Sequence, residues 1–491
     1  MNSIHLKLDS FNTLLTSLNK SEKRYLELYL LQDHSLDSMY QVYLKAYKEA
    51  LKNRQGYIEL PLDFPINRLP SVKNYLKKKI LSALGNFHQK SIRRNEILEY
   101  LKSVEVLFNK RLYRECGSLL RQLEKMALQF WSYNLLLEIL QWQLRLLLSN
   151  GYKGELKISL SDLYKKEKKL LHSLNQISFY REIRYKLLKI YSQKKLTNPI
   201  DETHIVVIKE MLCGTMPKNL LPYASLECYR TMSLYFRLIS DYENAYIHSK
   251  NEMAIWNENS IVFKDRIMTS KYINGHVNQC EILFFLEEYG QYEEKFQELQ
   301  SNVNFKDDEH NNYVHHLAQS YLLKLSTNLI THKYSNNSLL ISEIKSTFLS
   351  KINKQKKAEF IYIFAINSFC QKKWNDCLHY TNTLINEYKG SNNTDFDCLS
   401  QFFRILVHFE LDNIEVVENL IHRFNYQITE MSSLFECFHL YFRNTILDGT
   451  LSSDLLHEIK IGLSKKKIEH QLYLKLYFFV FSNWINSKLT N

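Results

Sequence analysis

The chain has 491 residues, of which 24% are charged and 13% aromatic, yet it holds only 11 glycines and 6 prolines. So few chain breakers exclude a sheet-rich domain with many tight turns, and at this length they point to an almost wholly helical, elongated array in place of one ordinary core. The formal net charge of +12 is unevenly placed: residues 1–200 hold 35 basic against 18 acidic side chains, and residues 201–491 hold 29 against 34. A basic first part suits an acidic or nucleic-acid partner, although a lysine-rich solvated helix face is the commoner cause.

The opening MNSIHLKLDSF lacks a charged region followed by an apolar stretch and a small-residue cleavage site, so no secretory signal is expected. Residues 3–54 read as two or three short helices. Asn19 stands as an N-cap, with Glu22 three residues later completing a capping box. Pro61, Pro65, Pro70 and Gly56 mark residues 55–70 as a non-helical linker or lid. A helix from about Ser71 to Gln89 comes next. It carries Val72, Leu76, Ile80, Leu84 and Phe87 on one stripe, with Lys73, Lys77 and Lys78 towards the other side as possible basic contacts. The loop before it is too long for a helix-turn-helix. Residues 1–90 are therefore read as an N-terminal helical domain that caps the open end of the array, and residues 91–491 as a second domain.

From about residue 92 helix follows helix, with short polar breaks at 109–111, 149–154, 194–201, 214–218 and 240–241. Residues 132–148, SYNLLLEILQWQLRLLL, are apolar nearly all round and need cover on more than one side. Longer loops are expected at 301–312 and 389–395. A closing helix near 469–487, with Leu472, Leu476, Phe479, Val480 and Trp484, is expected to cap the far end.

Residues 358–389 show the organising unit. Ile361, Phe364, Ala365, Ile366 and Phe369 cover one face of a helix, Gln371 to Lys373 interrupt it, and a second run begins with Trp374, Cys377, Leu378, Thr381 and Leu384. The same order recurs at Ser240-Asp241-Tyr242-Glu243-Asn244-Ala245 and Arg111-Leu112-Tyr113-Arg114-Glu115-Cys116. It is weaker at Gly290-Gln291-Tyr292-Glu293-Glu294-Lys295 and Asn413-Ile414-Glu415-Val416-Val417, where Lys295 and Val417 replace the small residue. An aromatic opening the second helix, with a small residue one turn on, resembles a tetratricopeptide-type repeat. The anchors at 113, 242, 292, 374 and 414 are separated by 129, 50, 82 and 40 residues, which fits a unit of roughly 40. The runs NKSEKRYLELYL, VKNYLKKKIL and LYRECGSLLRQLEKMA are also similar to a group of Bacteroidota helical-repeat proteins that carries no assigned chemistry. The resemblance implies an all-α, right-handed α-solenoid of degenerate tetratricopeptide-like hairpins. It also implies a concave groove lined from the first helix of each pair, here by Arg230, Leu234 and Arg237 and by Tyr362, Ile366 and Phe369.

Catalytic patterns are missing from the sequence. It contains no GxxxxGK[ST] or GxGxxG phosphate loop and no GxSxG serine. His315 and His316 are one step apart and point in different directions on a helix, unlike a zinc-binding i, i+4 pair. His408, His422 and His439 read as partly buried with local hydrogen-bond partners. The eight cysteines have no CxxC pair and read as small buried residues of a reducing compartment. The longest apolar runs fall short of the roughly 18 residues that a spanning helix needs. The expectation is a cytoplasmic, non-enzymatic protein- or peptide-binding scaffold with no cofactor and no metal. The alternative is a regulator whose basic N-terminal part contacts nucleic acid while its repeats sense a partner.

Overall fold

A computed structural model describes residues 3–7, 14–15, 17–31, 38–52, 57–61, 63–88, 93–149, 152–154, 156–193, 202–212, 219–264, 266–302, 314–347, 349–388, 394–423, 440–442, 444, 453–465 and 472–490. These residues are overwhelmingly helical. They divide into two compact units, residues 1–163 with 261–266 and residues 164–260 with 267–491.

The first unit opens with a small sheet instead of a helix. Strand β1 (Ser3–Lys7) pairs antiparallel with β2 (Tyr57–Pro61) in the register Ile4 to Leu60 and Leu6 to Ile58. The segment expected to be a linker thus supplies a strand whose Ile58 and Leu60 are buried in strict alternation with exposed neighbours. Its prolines are tolerated because Pro61 ends the strand, Pro65 precedes a single 3-10 turn at Ile66–Arg68, and Pro70 lies in the first turn of the next helix. Helices α1 (Lys20–Leu31), α2 (Ser38–Lys52) and α3 (Leu69–His88) complete this core around Tyr43, Phe64, Val72, Leu76 and Ile80. The capping box on α1 forms as expected: the Asn19 amide donates to Glu22 Oε2 at 2.9 Å, and the Glu22 amide donates to Asn19 Oδ1 at 2.8 Å. Helices α4 (Arg93–Asn109), α5 (Tyr113–Gln129) and α6 (Tyr133–Leu147) then pack on one another. Helix α6 is not apolar all round. Asn134, Glu138, Gln141 and Arg145 form an exposed stripe at helical spacing.

Most of α7 (Leu160–Gln193) belongs to the second unit, followed by α8 (Glu202–Leu212). Five hairpins come next: α9 (Pro222–Leu238) with α10 (Tyr242–Glu258), α11 (Arg266–Phe285) with α12 (Tyr289–Asn302), α13 (Val314–Ile330) with α14 (Tyr334–Thr347), α15 (Lys354–Cys370) with α16 (Trp374–Glu387), and α17 (Thr394–Glu410) with α18 (Ile414–Arg423). The chain closes with α19 (Ser453–Lys465) and α20 (Leu472–Thr490). Helix α20 does not stop at the end of the series. It packs on α13 and α15 as well as α19. Lys475 meets Glu287 at 3.0 Å just past the end of α11, while Lys488 at 2.8 Å and the Trp484 indole at 2.6 Å meet Glu410 at the end of α17. Its lysines therefore reach the electronegative C-terminal ends of helices in two different hairpins.

One turn geometry recurs in both units. Arg111, Trp131, Ser240, Glu287, His332, Lys372 and Asp412 all adopt φ between 53° and 65°, and each lies two residues before a helix starts. At each, the amide of the next residue donates back to the carbonyl five residues earlier, as in Leu112 to Leu107, Asp241 to Phe236, Lys333 to Asn328 and Lys373 to Ser368, at 2.7–3.0 Å. This is a Schellman-type helix end closing directly into the next helix. Six of the seven following helices begin with Tyr or Trp, and three residues on comes a buried side chain: Cys116, Leu136, Ala245, Tyr292, Asn337, Cys377 or Val417. The expected anchors at Tyr113, Tyr242, Trp374 and Ile414 are in place. That at Tyr292 is three residues late, since Tyr289 opens α12 and Tyr292 takes the inward position, so Lys295 never belonged there. The turns before Tyr133 and Tyr334 complete the set. In the second unit the left-handed residues are spaced 47, 45, 40 and 40 apart.

A non-glycine residue in this region costs about 1–2 kcal/mol. Lys372→Gly is expected to raise the urea midpoint and Lys372→Ile to lower stability by about 1 kcal/mol, because a β-branched side chain fits positive φ least well. Equal midpoints for the two variants would show that Lys372 does not hold this conformation.

Candidate functional site

Helix α9 has an unusual interior. Pro222 at its first position starts it, and its apolar stripe should bury only residues such as Leu226 and Leu238, yet Glu227 and Arg230 are also buried. Burying a charge is tolerable only with partners, and here they come from α7, α10 and α11 as well as from α9 itself. Glu227, fully buried, accepts from Arg184 of α7 and, at 2.6 Å, from the Tyr223 hydroxyl one turn back, with Arg181 3.6 Å away. The Tyr223 oxygen in turn accepts from Arg181 at 3.1 Å and from the Lys271 ammonium of α11. Arg230 pairs with Glu252 of α10 at 3.2 Å and donates to the Lys271 carbonyl at 2.9 Å and to Asn274 Oδ1 at 3.1 Å. Gly275 makes room for that pair, since a Cβ there would stand 2.9 Å from Glu252 Oε1.

The row continues along the first helices. Asn274 bonds the His316 ring of α13 at 3.1 Å, Arg237 pairs with Glu281 at 2.7 Å and reaches Asn278 at 3.2 Å, and Lys356 of α15 donates to Gln319 of α13 at 2.8 Å. Arg181 is half exposed and Arg184 a quarter exposed, while Lys271, Asn274, Asn278, His316, Gln319 and Lys356 are all partly exposed. Solvent therefore reaches this polar face.

Its charge states follow from its surroundings. Burial pushes the Glu227 carboxyl up, but Arg184, the Tyr223 hydroxyl, Arg230 and Lys271 outweigh it and hold it below the usual carboxylate range. Burial raises Glu252 in spite of Arg230. Burial lowers Lys271 to about 8; Glu227 opposes that shift, while Arg230, Arg181 and Arg184 add to it. His316 is lowered by burial and then by the charges of Arg230 and His315.

The groove positions expected from sequence fall elsewhere. Arg230 and Arg237 are consumed in ion pairs inside the helix stack, so exchanging both for Glu would break the fold before it tested binding. Leu234 is half-buried against the cluster of Ile183, Leu187 and Tyr235. Tyr362, Ile366 and Phe369 are buried in the large core that also contains Leu476, Phe481 and Trp484 of α20. Lys73 is half-buried, 5.9 Å from the centre of the Tyr43 ring, and Lys77 and Lys78 are exposed on α3. His315 is exposed and His316 turned inward, as their spacing required, and His408 has its local partner in Asn413 at 3.3 Å. His422 is exposed, while His439 lies outside the described residues. Arg181, Arg184, Tyr223, Glu227 and Lys271 were missed. The available signal was a pair of charges, Glu227 and Arg230, set among the buried positions of α9.

Among the described cysteines, Cys116, Cys228, Cys280 and Cys377 are buried and Cys370 nearly so, and none of the five is in a disulfide. Burial pushes Cys116 up to about 11 and Cys280 and Cys370 up to about 12, which leaves them inert as nucleophiles. Among the described residues no cluster of His, Cys, Asp or Glu is placed to hold a metal, and no helix is long and apolar enough to cross a membrane. No protein-family model matches the chain, and no curated protein does.

Glu227→Gln is expected to cost about 2–4 kcal/mol, the lower part of the range for breaking a buried pair because Arg184 and Arg181 keep some water. Chemical unfolding measures it. The difference should vanish in acid, since a carboxylate with a lowered folded pKa contributes stability above its usual 4.5 and loses it as pH falls through the folded value. Lys271 acts in the same sense at higher pH. Between pH 8 and its usual 10.5 the folded chain has given up a proton that the unfolded chain keeps, so stability rises with pH. Lys271→Met should flatten that rise, as read from urea midpoints at pH 7.5 and 10.

Proposed function

We propose that the chain is a non-catalytic scaffold, a right-handed α-solenoid of tetratricopeptide-like hairpins whose first-helix face takes a protein or peptide partner. The observation that carries this reading is the polar row joining α7, α9, α11, α13 and α15. Its bonds between successive members, α7 and then the first helices of four hairpins, span 41–44 residues from α7 to α13 and 37 at the α13–α15 step, close to the 40–47-residue spacing of the turns. First helices therefore neighbour first helices, the arrangement from which a repeat array builds one continuous binding face. Towards the C-terminus the corresponding face is apolar and already covered by α20. The open, partly hydrated stretch from Arg181 to Lys356 is where a partner docks. A mixture of cations, amides and a histidine suits a polar or acidic peptide laid across the helices.

The test is affinity capture with the full chain, with and without nuclease, followed by hydrogen exchange on the purified complex. A protein recovered in both conditions that protects α7, α9, α11 and α13 more than α10, α12 and α14 is the expected result. Nuclease-sensitive capture, or protection confined to the second helices, would overturn the reading in favour of a nucleic-acid contact or a different face.

A further inference from the structure

We propose that the partly exposed cluster of Arg181, Arg184 and Lys271 around Tyr223 is a binding site for a dianionic phosphoryl group, a phosphate monoester. This deepens the scaffold reading and rests on it for the partner, though not for the site itself. The argument begins at one oxygen. The Tyr223 hydroxyl donates its only proton to Glu227, and both its acceptor positions are taken by cations, the guanidinium of Arg181 and the ammonium of Lys271. The two cations therefore stand within about two hydrogen-bond lengths, roughly 6 Å, of each other. Like charges at that range repel, and the single carboxylate of Glu227, 3.6 Å from Arg181 and paired with Arg184, offsets only part of that repulsion. Both also lie near the Tyr223 ring, Lys271 at 4.8 Å and Arg181 at 5.7 Å from its centre.

The charge count points to the kind of anion. Arg181, Arg184, Arg230 and Lys271 bring four positive charges, and the carboxylates paired with them, Glu227 and Glu252, bring two. An excess of two positive charges is matched by a phosphate monoester, which carries close to two negative charges at neutral pH. A carboxylate or a phosphodiester carries one and would leave the site half compensated. Burial first, and then the neighbouring arginines, holds Lys271 near 8, and burial first, and then Arg230 and His315, disfavours His316 as a cation. Arg181 and Arg184 sit one turn apart on α7, so two guanidinium forks meet one ligand, and the half-exposed Arg181 leaves a way in. Glu227 lies beneath and holds the donors in place without reaching the ligand.

The shared chemistry has two sources, a phosphorylated side chain of a partner protein or a small phosphate monoester. The experiment follows thermal unfolding of the full chain with inorganic phosphate, with a phosphoserine peptide and with its serine counterpart, each against sodium chloride at matched ionic strength. Phosphate should raise Tm saturably and the phosphopeptide should do so too, while the serine peptide and chloride should not. Tighter binding of the phosphopeptide than of phosphate assigns the site to a modified protein, and equal binding assigns it to a small monoester; both uphold it. Arg181→Gln with Lys271→Gln should weaken phosphate about tenfold or more, the loss of one charge-assisted contact being enough. Lys271→Arg should retain binding, and Lys186→Gln, on the exposed side of α7 in its pair with Glu182, should leave it unchanged. Calorimetric titration of the folded variants reads the same affinities where a variant melts early. The proposal is overturned if the native chain shows no saturable shift, if the double variant binds phosphate as the native chain does, or if a DNA oligonucleotide is as effective as phosphate. Because the probe is the small ion, any of these refutes the site while capture of a protein partner by the same double variant leaves the scaffold reading standing.

Discussion

A residue forced into the left-handed backbone region, seven times over and never as glycine, is the constraint on which the hairpins depend. Each such residue costs about 1–2 kcal/mol. Two returns offset it. The turn closes two backbone hydrogen bonds that a fraying helix end would leave to water, each with a net value near 1 kcal/mol. It also swings the first residue of the next helix onto the last turn of the previous one, where rings meet five residues apart: Phe108 with Tyr113 at 5.7 Å, Phe284 with Tyr289 at 6.1 Å and Phe369 with Trp374 at 5.3 Å. Such pairs contribute about 0.5–1.5 kcal/mol beyond their buried area. The balance favours the turn without help from glycine, which is how a chain with so few glycines makes so many reversals.

With the turn geometry constant, variation moves to the position three residues into the second helix. It is always buried, but its occupant ranges from Ala245 to Tyr292. A small residue lets two helices cross closely, and a large one holds them apart. At Asn337 the interior is polar and satisfied: its side chain accepts from Asn328 at 2.9 Å and donates to Asn367 at 3.1 Å and to the Leu325 carbonyl at 3.2 Å. Hairpins alike in the backbone of their turns therefore differ in their cores, and their sequences diverge at this position. The first helices split into two regimes. From α7 to α15 they meet through a row of polar and charged side chains, and from α13 to α17 they also share a core of Leu, Ile and Phe, with α20 laid against α13 and α15.

Much of the fold was legible in particular residues. The Asn19–Glu22 cap, the helix starts at Tyr113, Tyr242 and Trp374, and the stripe of α3 all depend on contacts within one or two turns of chain. The errors share a cause. Tyr289 and Tyr292 both fit the aromatic position, and only the closure of the turn decides between them. Tyr133 and Tyr334 were hidden because Leu136 and Asn337 are not small. The strand Tyr57–Pro61 was hidden because its partner lies more than fifty residues earlier.

Sequence alone determined that the chain is helical, that helix pairs recur at about forty residues, and that basic charge gathers towards the N-terminus, because propensity, caps and periodicity are local properties. Tertiary structure decided which charges are interior. Arg230 and Arg181 look alike along the chain, but one is closed in by Glu252 and the other stands half open over Tyr223. It also decided that the last helix lies across α13 and α15. Both outcomes turn on which side chains meet across forty or more residues, and a pairing of that kind depends on how helices stack, which no single stretch of sequence contains.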